Sequence, residues 1–318
     1  MNYGVHRIVI FTGIVLFSIV GLFGNICLIA VHIRKPKLRT KYGLLLSLLS
    51  LCQSVCLIFE WVGAIYILST PTAIRSMCFS LIFVYIFVHC MQTGLLATIA
   101  VDLLISIALP ILHRVSRHHV YVLLISIPSL LYGLLTVVFG FIVTDDEPIN
   151  MCNPPSALVE KVKNPWYFVA LAAGAVTVLS YVLAYVTLLY NHKRHANQPQ
   201  DLARKSMRTL SIILLIFLFT RYTTTIGANV LNMANVNADA VALYQNYSVF
   251  MAMLCYSQNF YVTFWRSTEY RKYLWHQHMR LHNFLFGRCC PFTSTTRNDM
   301  TRRKKSTYAR AMTEQCHS

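Results

Sequence analysis

Three ionisable residues, Glu60, His89 and Arg221, stand inside stretches that otherwise carry almost no charge. Such groups are costly in an apolar segment and are functional candidates by default. A carboxylate and a guanidinium can pair, or each can meet the opposite charge on a bound molecule. An imidazole beside them can donate or accept. Two readings stand. In one, Arg221 pairs with Glu60 or meets an anionic group of a ligand, with His89 facing it. In the other, Arg221 bonds to backbone carbonyls, Glu60 snorkels outward beside Trp61, and His89 is a satisfied interior histidine. Ten cysteines are a second chemical resource. No Cys-x-x-Cys or Cys/His set has metal-ligand spacing, so no metal is expected. No nucleophile or His/Asp constellation points to hydrolysis, and no cofactor is implied.

The elements that must hold these residues follow from composition. Of 318 residues, 56% are hydrophobic and only 12% charged. A soluble domain of this size carries roughly a quarter charged residues. The charges are also clumped, which points to lipid as the solvent. A net charge of +17 could suggest nucleic acid. No nucleic-acid motif supports that, and basic residues crowd the flanks of membrane helices.

A spanning helix needs about 20 predominantly apolar residues. Seven segments qualify: 8–33, 42–67, 78–112, 120–143, 165–190, 207–232 and 241–265. The first is too long for a signal-peptide core and has no small-residue cleavage site after it, so it reads as a membrane helix. The third is long enough to tilt or project. The seventh is interrupted by Tyr256, Gln258 and Asn259, so it should be buried among its neighbours. The expected fold is an all-α membrane protein. Residues 1–7 form a short N-terminus and 8–265 a seven-transmembrane-helix bundle. Residues 266–290 form a short interfacial eighth helix, and 291–318 a disordered cytoplasmic tail.

Loop charge sets the orientation. Arg34, Lys35, Lys37, Arg39 and Lys41 lie between spans one and two, and Arg114 and Arg117 after span three. Lys193, Arg194, Arg204 and Lys205 lie between five and six, and the tail carries Arg302, Arg303, Lys304 and Lys305. The opposite loops hold few basic residues and carry Asp145, Asp146, Glu147, Glu160 and Asp239. The positive-inside rule then puts the N-terminus outside and the tail in the cytoplasm of a plasma-membrane protein. At about 1.5 Å per residue, Glu60 lies about 27 Å and Arg221 about 21 Å from the inner ends of their helices. His89 lies about 16 Å from its outer end. All three therefore fall near the middle of the bundle or in its outer half.

In this topology Cys78 and Cys152 lie on the oxidising face. They can bond there and pin the loop between spans four and five over the bundle mouth; the alternative is two free thiols. Cys27, Cys52, Cys56, Cys90 and Cys255 read as small packing residues. Cys289 and Cys290 follow the amphipathic stretch from Arg266 to Phe286. They are candidates for S-palmitoylation, with unmodified thiols as the alternative.

The motifs carry a family resemblance. Gly24-Asn25 in span one resembles the glycine–asparagine pair of rhodopsin-like G-protein-coupled receptors. Cys78 stands where those receptors keep their disulfide cysteine. Asp102-Leu103-Leu104 followed by Pro110-Ile111 resembles their Asp-Arg-Tyr and Pro-Leu. Asn259 to Lys272 resembles the end of their span seven and the start of their eighth helix, and Phe217 fits their span-six phenylalanine. There are departures. Leu103 replaces the arginine that engages the G protein. Gln53 replaces the sodium-holding aspartate. Phe260 and Thr263 replace the span-seven proline and tyrosine, and Arg221 stands at the toggle tryptophan. With Leu49-Ser50-Leu51-Cys52 in span two, the chain looks most like the Srsx class of nematode serpentine chemoreceptors.

That resemblance implies a chemosensory receptor with an unknown extracellular ligand and a heterotrimeric G protein as partners, besides membrane lipid. It implies Glu60, His89 and Arg221 as ligand-binding candidates. It also implies Asn25, Asp102, Leu103, Pro110, Asn259 and Thr263 as coupling or switch positions. A retinal protein would need a lysine in span seven, and residues 241–265 have none. A transporter is the main alternative, although no related halves or Gly/Pro-broken helices are visible. A receptor-like scaffold that does not signal is the other.

Overall fold

The computed structural model describes residues 3–69, 73–149, 152–194 and 238–268, with Tyr270, Arg271 and scattered positions between 209 and 234. Arg221, Cys289, Cys290, most of the sixth expected span and the stretch beyond Arg271 lie outside the described residues. The long helices are α1 (Tyr3–Arg34), α2 (Lys41–Ser69), α3 (Arg75–Ala108), α5 (His118–Val143), α7 (Glu160–Arg194) and α8 (Ala238–Arg266). Short helices α4 (Pro110–Val115) and α6 (Pro154–Ala157) lie in connections. Helix α8 covers the seventh expected span. Among the described residues, five helices (α1, α2, α3, α5 and α7) are long and apolar enough to cross a membrane.

Burial is inverted relative to a water-soluble protein. Asn25, Gln53, Glu60, His89, Gln92, Asp102, Gln258 and Asn259 are all buried. Meanwhile Leu123, Phe139, Phe168, Leu171 and Leu179 are exposed. Apolar surface on this scale fits lipid, and the polar groups turn inward because lipid offers them no partner.

Helix α3 is the most enclosed of the five and α5 the least. It packs against α2, α5 and α7, while α1 sits against α2 and α8. The α3–α5 seam depends on small residues. A Cβ on Gly94 would come within 2.9 Å of the Ser129 Cα, so only glycine allows that approach.

Local chemistry sets the helix ends. Arg39 donates to the carbonyls of His32 (3.1 Å) and Ile33 at the end of α1, satisfying groups the helix leaves open. Thr40 Oγ1 accepts from the Gly43 amide at 3.1 Å, capping the start of α2. A Cβ on Gly43 would lie 2.2 Å from the Leu38 carbonyl oxygen, which makes glycine obligatory in that tight connection. The third span was expected to run to residue 112, but α3 stops at Ala108. Proline has no amide hydrogen and restricts the residue before it, so the helix breaks at Leu109 and restarts with Pro110 in the first turn of α4.

At the other end of α3, strands β1 (Ala73–Ile74) and β2 (Pro148–Ile149) pair antiparallel, Ala73 opposite Ile149. Arg75 reaches the carboxylates of Asp145 (2.5 Å) and Glu147 (3.0 Å). Cys78 and Cys152 form a disulfide with Cα atoms 5.5 Å apart. The segment from Asp145 to Cys152 is thus fastened to α3 by strand pairing, ion pairs and a covalent bond.

Candidate ligand site and its polar relay

Glu60 sits on α2, about five turns beyond Thr40's end of that helix, and is 9% exposed. Its neighbour Trp61 is 37% exposed. The glutamate therefore turns inward while the tryptophan faces out. The Tyr85 hydroxyl on α3 is hydrogen-bonded to Glu60 Oε1. The Tyr85 hydroxyl also lies 3.2 Å from that of Tyr256 on α8. Tyr256 in turn lies 3.0 Å from His89 Nδ1 on α3. Tyr85 and His89 share one face of α3 because they are four residues apart. Gln92, three residues further, brings its amide nitrogen to 3.5 Å from the same Nδ1.

Trp166 on α7 closes the side. Its ring centroid lies 5.6 Å from that of His89, and its indole nitrogen donates to Cys90 Sγ at 3.2 Å. Phe59 stacks on Tyr85 at 6.3 Å. Glu60 and His89 thus belong to one buried cluster and connect through two tyrosines rather than directly. Arg221 lies outside the described residues, so its pairing with Glu60 carries no structural statement.

Further along α8 is a second polar layer. Asn25 donates to the Tyr256 carbonyl at 3.0 Å. Gln53 donates to the Cys255 carbonyl at 3.2 Å and accepts from Asn259 at 2.7 Å. An amide at position 53 can do both at once, which a carboxylate cannot. Gln258 donates to the Ile213 carbonyl at 3.3 Å. Thr263 is buried one turn beyond Asn259. These bonds tie α1, α2 and α8 by neutral groups.

The far end of α3 holds a third cluster. Asp102 is 3% exposed and accepts from His113 Nε2 of α4 at 2.9 Å. Lys41 donates to the His113 carbonyl and stands 4.4 Å over the Tyr121 ring of α5. His113 and Tyr121 meet edge to face with ring centroids 5.4 Å apart. Leu103 is buried beside Asp102, while Pro110 is exposed. Asp102 therefore holds α4 through a histidine eleven residues on, rather than through an adjacent arginine.

Of the expected positions, the structure joins Glu60 with His89, Asn25 with α8, and Asn259 with Gln53. Sequence reading passed over Tyr85, Gln92, Trp166 and Tyr121 as site residues, and took Tyr256 only as an interruption of span seven. The spacing of Tyr85, His89 and Gln92 on one helical face was the available signal.

The fold and these clusters define a multi-pass helical membrane protein whose polar groups turn into the bundle interior. The family model described as "Serpentine type 7TM GPCR chemoreceptor Srsx" matches residues 18–277, and the chain belongs to that family. It is a chemosensory receptor of the G-protein-coupled type, a receptor class and not an enzyme class. No curated protein matches the chain.

Proposed function

We propose that the protein converts binding of an extracellular small molecule or peptide into heterotrimeric G-protein signalling, with Glu60, His89 and Arg221 at the ligand site. The supporting observation is the buried Glu60–Tyr85–Tyr256–His89 chain, which joins α2, α3 and α8 in the middle of the bundle. A ligand that met any member would pull on three helices at once. The chain spans the plasma membrane seven times with its N-terminus outside, as the positive-inside rule requires. Residues 266–290 lie along the inner leaflet as an eighth helix, with Cys289 and Cys290 available for palmitoylation, and 291–318 form a cytoplasmic tail.

Coupling runs through the Asp102 region. Asp102, Leu103 and Pro110 end α3 and start α4, while Asn25, Asn259 and Thr263 link α8 to its neighbours. With Leu103 in place of arginine, the hold on the inactive state falls to the Asp102–His113 pair and Lys41.

A panel of volatile and water-soluble molecules, screened in cells expressing the full chain with a G-protein activation readout, tests this reading. At least one molecule should activate in a dose-dependent way, and Arg221→Gln at normal surface level should shift its potency. Labelled-solute flux without G-protein activation would favour a transporter. Surface expression with neither response would favour a non-signalling scaffold.

A further inference from the structure

The buried chain sets a proton-counting problem. Three contacts link four side chains: Glu60 with Tyr85, Tyr85 with Tyr256, and Tyr256 with His89 Nδ1. Each contact needs one hydrogen between its heavy atoms, and each tyrosine hydroxyl has only one to give. Two hydroxyls cannot fill three contacts. The third hydrogen must come from an end of the chain, either from a protonated Glu60 or from His89 Nδ1.

We propose that Glu60 and His89 share one mobile proton through Tyr85 and Tyr256, forming a proton-binding site at the heart of the bundle. In the neutral form Glu60 is a carboxylic acid that donates to Tyr85, Tyr85 donates to Tyr256, and Tyr256 donates to a bare Nδ1. The other imidazole nitrogen, Nε2, keeps its hydrogen. In the charged form every hydrogen has moved one place. Glu60's proton is on the Tyr85 oxygen, Tyr85's on the Tyr256 oxygen, and Tyr256's on Nδ1. Both tyrosines remain neutral phenols, Glu60 is a carboxylate and His89 an imidazolium. No proton enters or leaves, and all three contacts stay filled in both forms.

The surroundings suit an exchange between these forms. Gln92 brings its amide nitrogen to 3.5 Å from Nδ1, so the positive end of the amide dipole faces the bare nitrogen of the neutral form. Its Oε1 is buried without a hydrogen-bond partner. Turning the amide by half a rotation would set the negative end of that dipole beside the imidazolium. Among the described residues, the other titratable groups around the chain are buried thiols: Cys52 and Cys56 on α2, Cys90 on α3 and Cys255 on α8. Helix α7 presents Trp166, which does not titrate. Among the described residues no lysine or arginine pairs with Glu60. The site shares Glu60 and His89 with the proposed ligand site, but the exchange itself requires only the four side chains and no ligand.

Infrared difference spectroscopy of the full-length receptor in lipid nanodiscs, titrated with pH, tests the site. A carbonyl band of a buried carboxylic acid should appear, and Glu60→Gln should remove it. His89→Gln should shift the pH midpoint of that band by at least threefold in proton concentration. In a Tyr256→Phe background, His89→Gln should no longer shift it; Tyr85→Phe should act alike and serves if the first variant does not fold. Absence of a Glu60 band movement in His89→Gln overturns the proposal. So does a shift that persists undiminished in both tyrosine backgrounds, because that would be coupling through space.

Discussion

The two ends of α3 are fastened in opposite ways. Near Cys78 the helix is held by a disulfide, a strand pair and the Arg75 ion pairs. Near Asp102 it is held by hydrogen bonds and a cation over a ring, all reversible on a thermal scale. Under the proposed function, this asymmetry lets the Cys78 end hold the shape of the bundle while the Asp102 end releases a contact. The mouth must keep its shape while the base must be able to change partners. Between the two ends lie the neutral Gln53–Asn259 bonds, which join α2 to α8, and the Glu60–His89 chain, which binds α3 to both.

Breaking the fixed end should cost most. Cys78→Ser should lower unfolding stability by about 2–4 kcal/mol, the usual contribution of a disulfide closing a long loop. Thermal unfolding in nanodiscs reads this, and reductant should reproduce it in the wild type but not in the variant. Equal stability of the two would mean that the strand pair and ion pairs hold the segment unaided.

The middle layer comes next. Gln53→Leu takes away the acceptor of the Asn259 side-chain amide, at about 1–3 kcal/mol for a buried unsatisfied group. Sodium should leave the variant and the wild type equally unchanged, since position 53 carries no charge in either. A sodium-dependent melting temperature in the wild type would contradict the neutral reading of this layer.

At the reversible end, Asp102→Asn keeps the shape and weakens the bond to His113. A loss of about 0.5–1.5 kcal/mol is expected, the net worth of one hydrogen bond. Ligand-free G-protein activation should rise in the same variant, and unchanged basal signalling would remove Asp102 from the coupling machinery. Smallest of all, Arg75→Gln should cost about 0–1 kcal/mol, because its carboxylate partners are solvent-facing and screened. A larger loss would mean that the ion pairs rather than the disulfide set the shape of the mouth.

Much of this comparison was legible from residue types. Runs of apolar residues located the long helices, because lipid forces the backbone to bond within itself. Glu60 and His89 stood out because charge in such a run demands a reason. Their connection did not stand out. Tyrosine is ordinary on an apolar face, so the spacing of Tyr85 and His89 was a faint signal, and only folding brought the Tyr85 and Tyr256 hydroxyls together between α3 and α8. Pro110 was read as a motif position, yet it also ends α3 four residues earlier than hydropathy alone suggested. Hydropathy sees no missing amide hydrogen. The Asp102–His113 bond was hidden because it spans eleven residues and depends on the break at Leu109 turning α4 back beneath α3.

The most direct test of the asymmetry is hydrogen exchange on the full chain in nanodiscs, with and without an activating molecule from the screen. Exchange should rise across Leu109–Tyr121 when the molecule binds, and stay unchanged across Ala73–Cys78 and Pro148–Ile149. A rise confined to the Cys78 end, or no change at the Asp102 end while the G protein is activated, would contradict the account.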